Sequence, residues 1–274
     1  MIPTLVIGLR EGLEASLIVG IIAAFLGRND RRDALRQVWI GVAVAVTLCV
    51  GIGIGLVALS RELPQQAQEA LETVIGIFAV AMVTLMIVWM NSHARGMKKE
   101  LEGHAAQALA RGSAQALVLM AFLAVLREGF ETVVFLIAVI QGSSSVASGT
   151  AGALIGIAIA VAIGYGIYRG GVRLNLGRFF KITGLVLVLV AAGLVMTVMH
   201  TAHEAGWLNA GQAQAADLSW LVRPGTPLAS LLTGVLGLQP QPTVIEALTW
   251  LLYAVPMLAF VGWPRPVFRR PSAA

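Results

Sequence analysis

The sequence predicts an all-α integral membrane protein with seven transmembrane helices. Three observations support this prediction: 58% of the 274 residues are hydrophobic, only 12% are charged, and the mean hydropathy is +0.84. Soluble domains carry about 25% charged residues, so the composition excludes a soluble globular enzyme. Cys49 is the single cysteine, which excludes a disulfide framework, a CxxC redox pair and a thiolate metal cluster.

Seven apolar stretches are long enough to cross a hydrocarbon core about 30 Å thick, which takes about 20 helical residues. They lie at 2–27, 37–60, 70–91, 114–140, 149–168, 179–203 and 244–263. The first begins at Met1 without a basic region and carries Arg10, Glu11 and Glu14. We therefore expect it to be a retained helix and not a cleaved signal peptide.

Basic residues cluster in alternate connections between these stretches. The segments 28–36, 92–113 and 169–181 and the C-terminal tail hold 15 of the 19 Lys and Arg residues. By the positive-inside rule, the N-terminus lies outside and the C-terminus in the cytoplasm. The excess of basic over acidic residues thus reflects membrane topology, and we expect no nucleic-acid partner. The outer connections are acidic, either to concentrate cations or simply because outer loops avoid basic residues.

A near-repeat lies inside two of the predicted helices. Residues 9–14 read LREGLE and residues 126–131 read LREGFE, 117 positions apart. Because each repeat would hold three helices, the second enters the membrane with opposite polarity, as in many secondary transporters. The predicted organisation is a first repeat at 1–91, a second at 92–203 with a cytoplasmic linker at 92–113, an outer loop at 204–243, and a seventh helix with a basic tail at 244–274.

The repeat buries six charged side chains, each of which costs about 2.5 to 3.5 kcal/mol at a helix centre unless it is paired. In each motif the arginine and the second glutamate are one helical turn apart. Carboxylate ligands suit a hard cation, favouring ferric iron, with calcium, magnesium and manganese also compatible. Alternatively, each Arg–Glu pair only locks helix packing. The predicted transport ligands are Glu11, Glu14, Glu128 and Glu131, and their charge partners are Arg10 and Arg127.

A second polar group lies at the outer ends of the third and sixth predicted helices. Its members are three or four residues apart on each helix, so each set can converge on one ion. For the two glutamates of the third helix, a solvated helix start that complements the helix dipole is an equal alternative. The string HTAHE lacks the spacing of zinc peptidases. The predicted outer entrance residues are Glu69, Glu72, His200, His203 and Glu204.

The paired RExxE motifs, here REGLE and REGFE, resemble those of the oxidase-dependent iron permease family. Its bacterial members are Efe-type ferrous-iron uptake permeases, and its fungal members partner a multicopper oxidase. The stretches 70–90 and 200–208 also resemble the family, although Thr201 and His203 stand where a Glu and a Gln are expected. The resemblance implies that the four glutamates bind iron in transit beside the required arginines. It also implies separate proteins outside the membrane that oxidise or deliver the metal.

We therefore predict an iron permease of the bacterial inner membrane and not an enzyme. Iron, ferric at the site, is the transported substrate, no cofactor is permanently bound, and membrane lipid surrounds the chain. The alternative within transport is a permease for another divalent cation, manganese or lead. A seven-helix sensor is less favoured because the chain has no sizeable cytoplasmic domain. An intramembrane enzyme is less favoured because no Ser/His pair or zinc-ligand spacing lies at midplane depth.

Overall fold

The computed structural model describes residues 1–28, 31–93, 114–141, 146–169, 175–223 and 226–262. Most of the predicted linker 92–113 and of the basic tail lies outside the described residues. Within them the chain forms eight helices, and its β-structure is one isolated bridge between Gln214 and Thr243. The helices are α1 (Ile2–Arg28), α2 (Arg32–Glu62), α3 (Gln65–His93), α4 (Ala114–Gln141), α5 (Val146–Tyr168), α6 (Leu176–Glu204), α7 (Pro227–Leu236) and α8 (Val244–Gly262).

Each of the seven predicted membrane spans corresponds to one long helix. Five of these helices, α2, α3, α5, α6 and α8, are long and apolar enough to cross a membrane by length and composition alone. The other two, α1 and α4, have 27 and 28 residues, which is also sufficient length. These two helices are not among the five because each carries the three charged residues of an RExxE motif near its middle. The all-helical prediction is confirmed for the described part of the chain.

The outside of the bundle is covered by large apolar side chains. Ile54 of α2, Leu85 of α3 and Leu252 of α8 are 66%, 70% and 78% exposed. Soluble monomers rarely expose contiguous apolar patches of this kind. The same surface is stable against lipid, because each helix satisfies its own backbone hydrogen bonds.

Glycines bring α1 and α5 unusually close together. A Cβ atom added to Gly8 would lie 2.6 Å from the carbonyl oxygen of Ala153, and one added to Gly12 would lie 2.9 Å from Cβ of Ala160. Small residues allow such approach between membrane helices, where packing replaces the hydrophobic effect as the driving force. By contrast, Gly51 of α2 has nothing within 4 Å of the added atom. Glycine content alone therefore does not identify the close contacts.

The segment 204–243 contains α7, a helix absent from the predicted spans. Its start is capped by Thr226, whose Oγ1 accepts a hydrogen bond from an α7 backbone N–H, and Pro227 follows as the first helical residue. It ends at Gly237, which has the left-handed φ of 66°. A Cβ atom on Gly193 of α6 would lie 2.8 Å from the Gly237 nitrogen. Because Gly193 lies eleven residues before the end of α6, this segment reaches about 16 Å into the bundle.

Candidate metal-transport site

The two RExxE motifs meet where α1 contacts α4. Glu11 of α1 and Glu128 and Glu131 of α4 each contribute one carboxylate oxygen, and these oxygens lie within 4.8 Å of one another. All three side chains are buried. An ion at the centre of this triangle would lie at most about 2.8 Å from each oxygen. Bonds from hard cations to oxygen are about 2.0 to 2.6 Å long, so small side-chain movements would complete a coordination shell.

Glu14, the fourth predicted ligand, pairs within its own helix. Its Oε1 lies 3.3 Å from Nε of Arg10, at ion-pair distance but without hydrogen-bond geometry. In α4 the matching pair is tighter, because Nε of Arg127 donates a hydrogen bond of 2.9 Å to Oε1 of Glu131. The structure therefore places both i, i+4 pairs as the spacing predicts. It brings three of the four glutamates into one cluster.

The two arginines occupy different surroundings. Arg10 is 1% exposed, and its guanidinium carbon lies 6.0 Å from the centre of the Phe180 ring, at the edge of cation–π range. The side chain of Arg127 is 63% exposed and also lies 3.9 Å from Glu128. Arg127 thus has room to move away from the cluster. Arg10 is enclosed and can move only if the helices around it move.

The two RExxE motifs carry more acidic than basic side chains. When all six side chains are ionised, four carboxylates face two guanidinium groups. Both carboxylate oxygens of Glu11 and Oε2 of Glu128 have no hydrogen-bond partner among the described residues. Buried carboxylates without partners are strongly unfavourable, and buried charges in proteins are normally paired or coordinate a metal. A cation bound at the centre would supply the missing partner.

Glycines in both motifs face neighbouring helices and not the carboxylates. Gly12 faces Ala160 of α5, and a Cβ atom on Gly129 would lie 2.7 Å from Sγ of Cys49 in α2. The room that these glycines leave is therefore filled by protein. Their effect on the cluster is indirect, because they determine how closely α5 and α2 approach the two motif helices.

A cavity of about 380 Å³ lies at the end of the bundle where α3 begins and α6 ends. Four of the five predicted entrance residues line it: Glu69, Glu72, His200 and Glu204. The fifth, His203, is not among the lining residues, and its Nδ1 lies 2.8 Å from the carbonyl oxygen of Leu208 in the following loop. The structure therefore brings the α3 and α6 sets to one cavity but directs His203 elsewhere.

Thr201 stands in this cavity where the family resemblance suggested a glutamate. Its Oγ1 accepts a hydrogen bond of 2.8 Å from Oγ1 of Thr73, which joins α6 to α3. Both threonines are buried. At this position the cavity wall therefore has a neutral contact between two helices.

Two helical turns of apolar packing separate the cavity from the carboxylate cluster. On both α1 and α4, a residue that lines the cavity lies seven positions from a glutamate of the cluster. The residue between them on the same helix face is Ile7 on α1 and Phe135 on α4, which are 1% and 0% exposed. Along these two helices, a buried apolar side chain thus lies between the cavity and the cluster. The residues in question are Thr4, Ile7 and Glu11 on α1, and Ala138, Phe135 and Glu131 on α4.

Comparison with known proteins assigns the chain to a family. The model of the iron permease FTR1 family matches residues 1–265. The chain belongs to this family. It is 43% identical over 267 residues to the ferrous iron permease EfeU of Escherichia coli O6:H1 (strain CFT073), covering 96% of each chain. It is 41% identical over 257 residues to the EfeU protein of Yersinia pestis, covering 93% of this chain and 91% of that one. No solved structure shows significant similarity to it.

Family membership confirms the resemblance carried by the REGLE and REGFE motifs. Together with five helices long and apolar enough to span a bilayer, it makes the chain a multi-pass membrane protein. The relatives are named permeases, which are transporters, and the matching family is described as an iron permease family. Neither the family nor these relatives support a sensor or a permease for manganese or lead.

One residue beside His200 of the cavity was not among the predicted site residues. Glu246 of α8 is 3% exposed, and its Oε1 lies 3.1 Å from Nδ1 of His200. A sequence signal does mark this glutamate, because Thr243 and Glu246 have the Thr-x-x-Glu spacing of a helix capping box. That signal identifies a helix start. It does not indicate that Oε1, the carboxylate oxygen not used by the cap, would contact a histidine 46 residues earlier in the chain.

Proposed function

We propose that this chain imports iron across the bacterial inner membrane and that Glu11, Glu128 and Glu131 hold the ion in transit. The observation that carries the proposal is the convergence of three buried carboxylates from two helices, with oxygens that lack partners among the described residues. The two relatives compared above are both named ferrous iron permease, which supports iron as the transported ion. The ion is a substrate, and no resident cofactor is required.

Iron at this site is proposed to be ferric. The cluster offers only carboxylate oxygens, the ligand type that hard cations prefer, and its surplus negative charge favours the more highly charged ion. Glu14 would be a fourth ligand if its contact with Arg10 opened. That contact has no hydrogen-bond geometry, so less interaction energy is lost when it breaks.

The groups 1–91 and 92–203 are proposed to be inverted repeats. Both α3 and α6 have 29 residues, and 111 positions separate their first residues and also their last. The main contacts are α1 with α5, α2 with α4, and α3 with α6, a pattern that is unchanged when the two groups are exchanged. The same 111-residue spacing relates Cys49, which faces Gly129, to Ala160, which faces Gly12. This correspondence supports a site at the repeat interface.

The proposed orientation places the N-terminus and the cavity outside. Among the described residues, Arg31, Arg32 and Arg36 lie around the start of α2, and Arg178 and Lys181 lie near the start of α6. Both helix ends are on the side opposite the cavity, as the positive-inside rule requires for the cytoplasmic face. Iron would then reach the cavity from the periplasm, delivered or oxidised by separate proteins there.

In the proposed cycle, iron gathers at Glu69, Glu72, His200 and Glu204 in the outer cavity and then moves to the cluster. In this step the packing around Ile7 and Phe135 would open, because these two buried side chains lie between cavity-lining residues and cluster glutamates along α1 and α4. Rocking of the repeats would release the ion inward. Arg10 and Arg127 would then neutralise the emptied carboxylates and limit the cost of unpaired buried charge.

The double variant Glu11→Gln with Glu128→Gln tests the site assignment. It removes two ligands but leaves the Arg10–Glu14 and Arg127–Glu131 pairs unchanged. Radioiron uptake by cells that lack other iron importers should be lost, while the amount of protein in the membrane stays normal. The matched control is Glu62→Gln, which changes an exposed acid outside the cluster and should transport normally.

Two outcomes of this experiment separate ion binding from helix locking. Loss of uptake together with loss of iron bound to the purified protein supports the transit site. Normal uptake by the double variant would reject the transit site. Helix locking would then explain the motifs, because the variant keeps both Arg–Glu pairs.

A further inference from the structure

We infer that the outer cavity contains a second ion site whose nitrogen ligand is His200, and that Glu246 is the positioning residue that orients this histidine. The site would accept iron and other transition-metal ions in preference to Ca²⁺ and Mg²⁺. The inference rests on the proposed function in taking iron as the transported ion and this cavity as the place where it gathers. It concerns selection of the ion before it reaches the cluster at Glu11, Glu128 and Glu131.

The imidazole of His200 lies between two carboxylates that differ in burial. Its Nδ1 lies 3.1 Å from Oε1 of Glu246, which is 3% exposed, and its Nε2 lies 3.5 Å from Oε1 of Glu204, which lines the cavity. A carboxylate that accepts from Nδ1 holds the proton there and leaves the Nε2 lone pair free for a metal. The lone pair of Nε2 then faces Oε1 of Glu204, which also donates an electron pair to a metal. A cation between these two atoms would bind to both.

Further ligands reach the same cavity from α3. Glu69 and Glu72 of α3 line the cavity together with His200 and Glu204 of α6. Carboxylates that line one cavity repel one another unless a proton or a cation lies between them. The cavity thus combines one imidazole with carboxylates from two helices, which is a mixed nitrogen and oxygen ligand set.

This ligand set supplies a discrimination that the buried cluster lacks. Carboxylate oxygens alone suit Ca²⁺, Mg²⁺ and Mn²⁺ as well as iron, whereas imidazole favours iron and the later transition metals. The buried cluster consists only of carboxylates. A nitrogen ligand in the cavity would therefore exclude the abundant hard divalent cations before the ion passes Ile7 and Phe135.

Glu246 is held rigidly because its other oxygen belongs to a capping box. Oε2 accepts a hydrogen bond of 2.9 Å from the backbone N–H of Thr243, and Oγ1 of Thr243 accepts one of 3.4 Å from the Glu246 backbone. The start of α8 thus determines where Oε1 lies, and Oε1 determines the orientation of the His200 ring. The competing explanation is that Glu246 only caps α8.

Two substitutions separate these roles. Glu246→Gln keeps the capping box, since glutamine also serves at this position, but removes the carboxylate beside His200. Thr243→Ala removes half of the capping box but keeps that carboxylate. Both are placed in the full-length Glu11→Gln, Glu128→Gln protein, where the inner cluster no longer competes, and Co²⁺ and Ca²⁺ are titrated into the purified protein in detergent.

We expect Glu246→Gln to weaken Co²⁺ binding about 10-fold or more, the usual effect of losing the partner of a metal-binding histidine, while Ca²⁺ binding is unchanged. Thr243→Ala should bind both ions normally and lower only the melting temperature. In His200→Gln, the nitrogen coordination signal in the spectrum of the bound metal should disappear. The inference is overturned if Co²⁺ binding is unchanged in Glu246→Gln and His200→Gln, or if Co²⁺ and Ca²⁺ binding weaken equally.

Radioiron uptake distinguishes failure of this inference from failure of the proposed function. In the otherwise unaltered chain, Glu246→Gln should raise the half-saturating iron concentration and leave the maximal rate unchanged. If the unaltered chain transports iron and Glu246→Gln transports it with the same half-saturation, only the outer site is rejected. If the unaltered chain transports no iron, the proposed function fails whatever the Co²⁺ titration gives.

Discussion

The substitution Gly8→Ala tests whether the α1–α5 contact positions the carboxylate cluster. The added methyl carbon would lie 2.6 Å from the carbonyl oxygen of Ala153, whereas ordinary contact begins at 3.4 Å. Since that oxygen belongs to the α5 backbone, α1 must move away by about 0.8 Å. Gly8 lies three residues before Glu11, on the same side of α1, so the movement reaches the cluster.

Two contributions of opposite sign determine how much Gly8→Ala changes the free energy of unfolding. Overpacking a close contact costs about 1 to 3 kcal/mol, and replacing Gly by Ala inside a helix returns at most about 1 kcal/mol. The net loss of stability is therefore about 0 to 3 kcal/mol. A shift near 1 Å at a site whose ligand oxygens lie within 4.8 Å of one another has a larger functional effect, and we expect iron uptake to fall about 10-fold or more.

The assay combines the melting temperature of the purified protein with the rate of radioiron uptake. Gly51→Ala is the matched control, because nothing lies within 4 Å of its added carbon. That variant should melt at the wild-type temperature or slightly above and transport normally. Wild-type uptake by Gly8→Ala would refute the reasoning that this contact sets the position of Glu11.

Three further predictions follow from buried contacts. Arg10→Met should lower the free energy of unfolding by about 3 to 5 kcal/mol, because it leaves Glu14 buried without its ion-pair partner. Adding Glu14→Gln to this variant should recover much of the lost stability, as measured in a thermal melt. Phe135→Ala should open the packing between the cavity and the cluster, so cation leak through proteoliposomes should exceed that of the wild type; an unchanged leak would show that this residue is not part of the barrier. Trp250→Phe removes the 2.8 Å hydrogen bond to the carbonyl oxygen of Leu236 and should cost about 1 kcal/mol of stability, with a melting temperature equal to wild type counting against a role in holding α7.

Local rules were sufficient for the long helices and for the two Arg–Glu pairs. A run of about 20 apolar residues identifies a span wherever the rest of the chain lies, and an i, i+4 spacing places Arg127 beside Glu131 on any α-helix. The same local rules were insufficient for α7, which has 10 residues and is too short to cross a bilayer. Its boundary signals, Thr226 and Pro227 at the start and Gly237 at the end, are present in the sequence but do not reveal that it enters the bundle.

Distances between helices could not be obtained from spacing along the chain. Glu11 and Glu14 are both predicted ligands, yet the group of three carboxylates that could hold one ion contains Glu11 with Glu128 and Glu131, and Oε1 of Glu14 lies beside Nε of Arg10. Likewise, nothing in the spacing of HTAHE indicates that His200 would contact Glu246 while His203 contacts the backbone of Leu208.

The amino-acid sequence alone established that charged residues must be buried in the membrane and must meet one another, because the bilayer penalises an unpaired charge in any fold. Only the tertiary structure decided which carboxylates converge and which histidine lines the cavity. That choice depends on how each helix is rotated and how closely it crosses its neighbours, and small residues such as Gly8 and Gly12 determine those distances through contacts with α5.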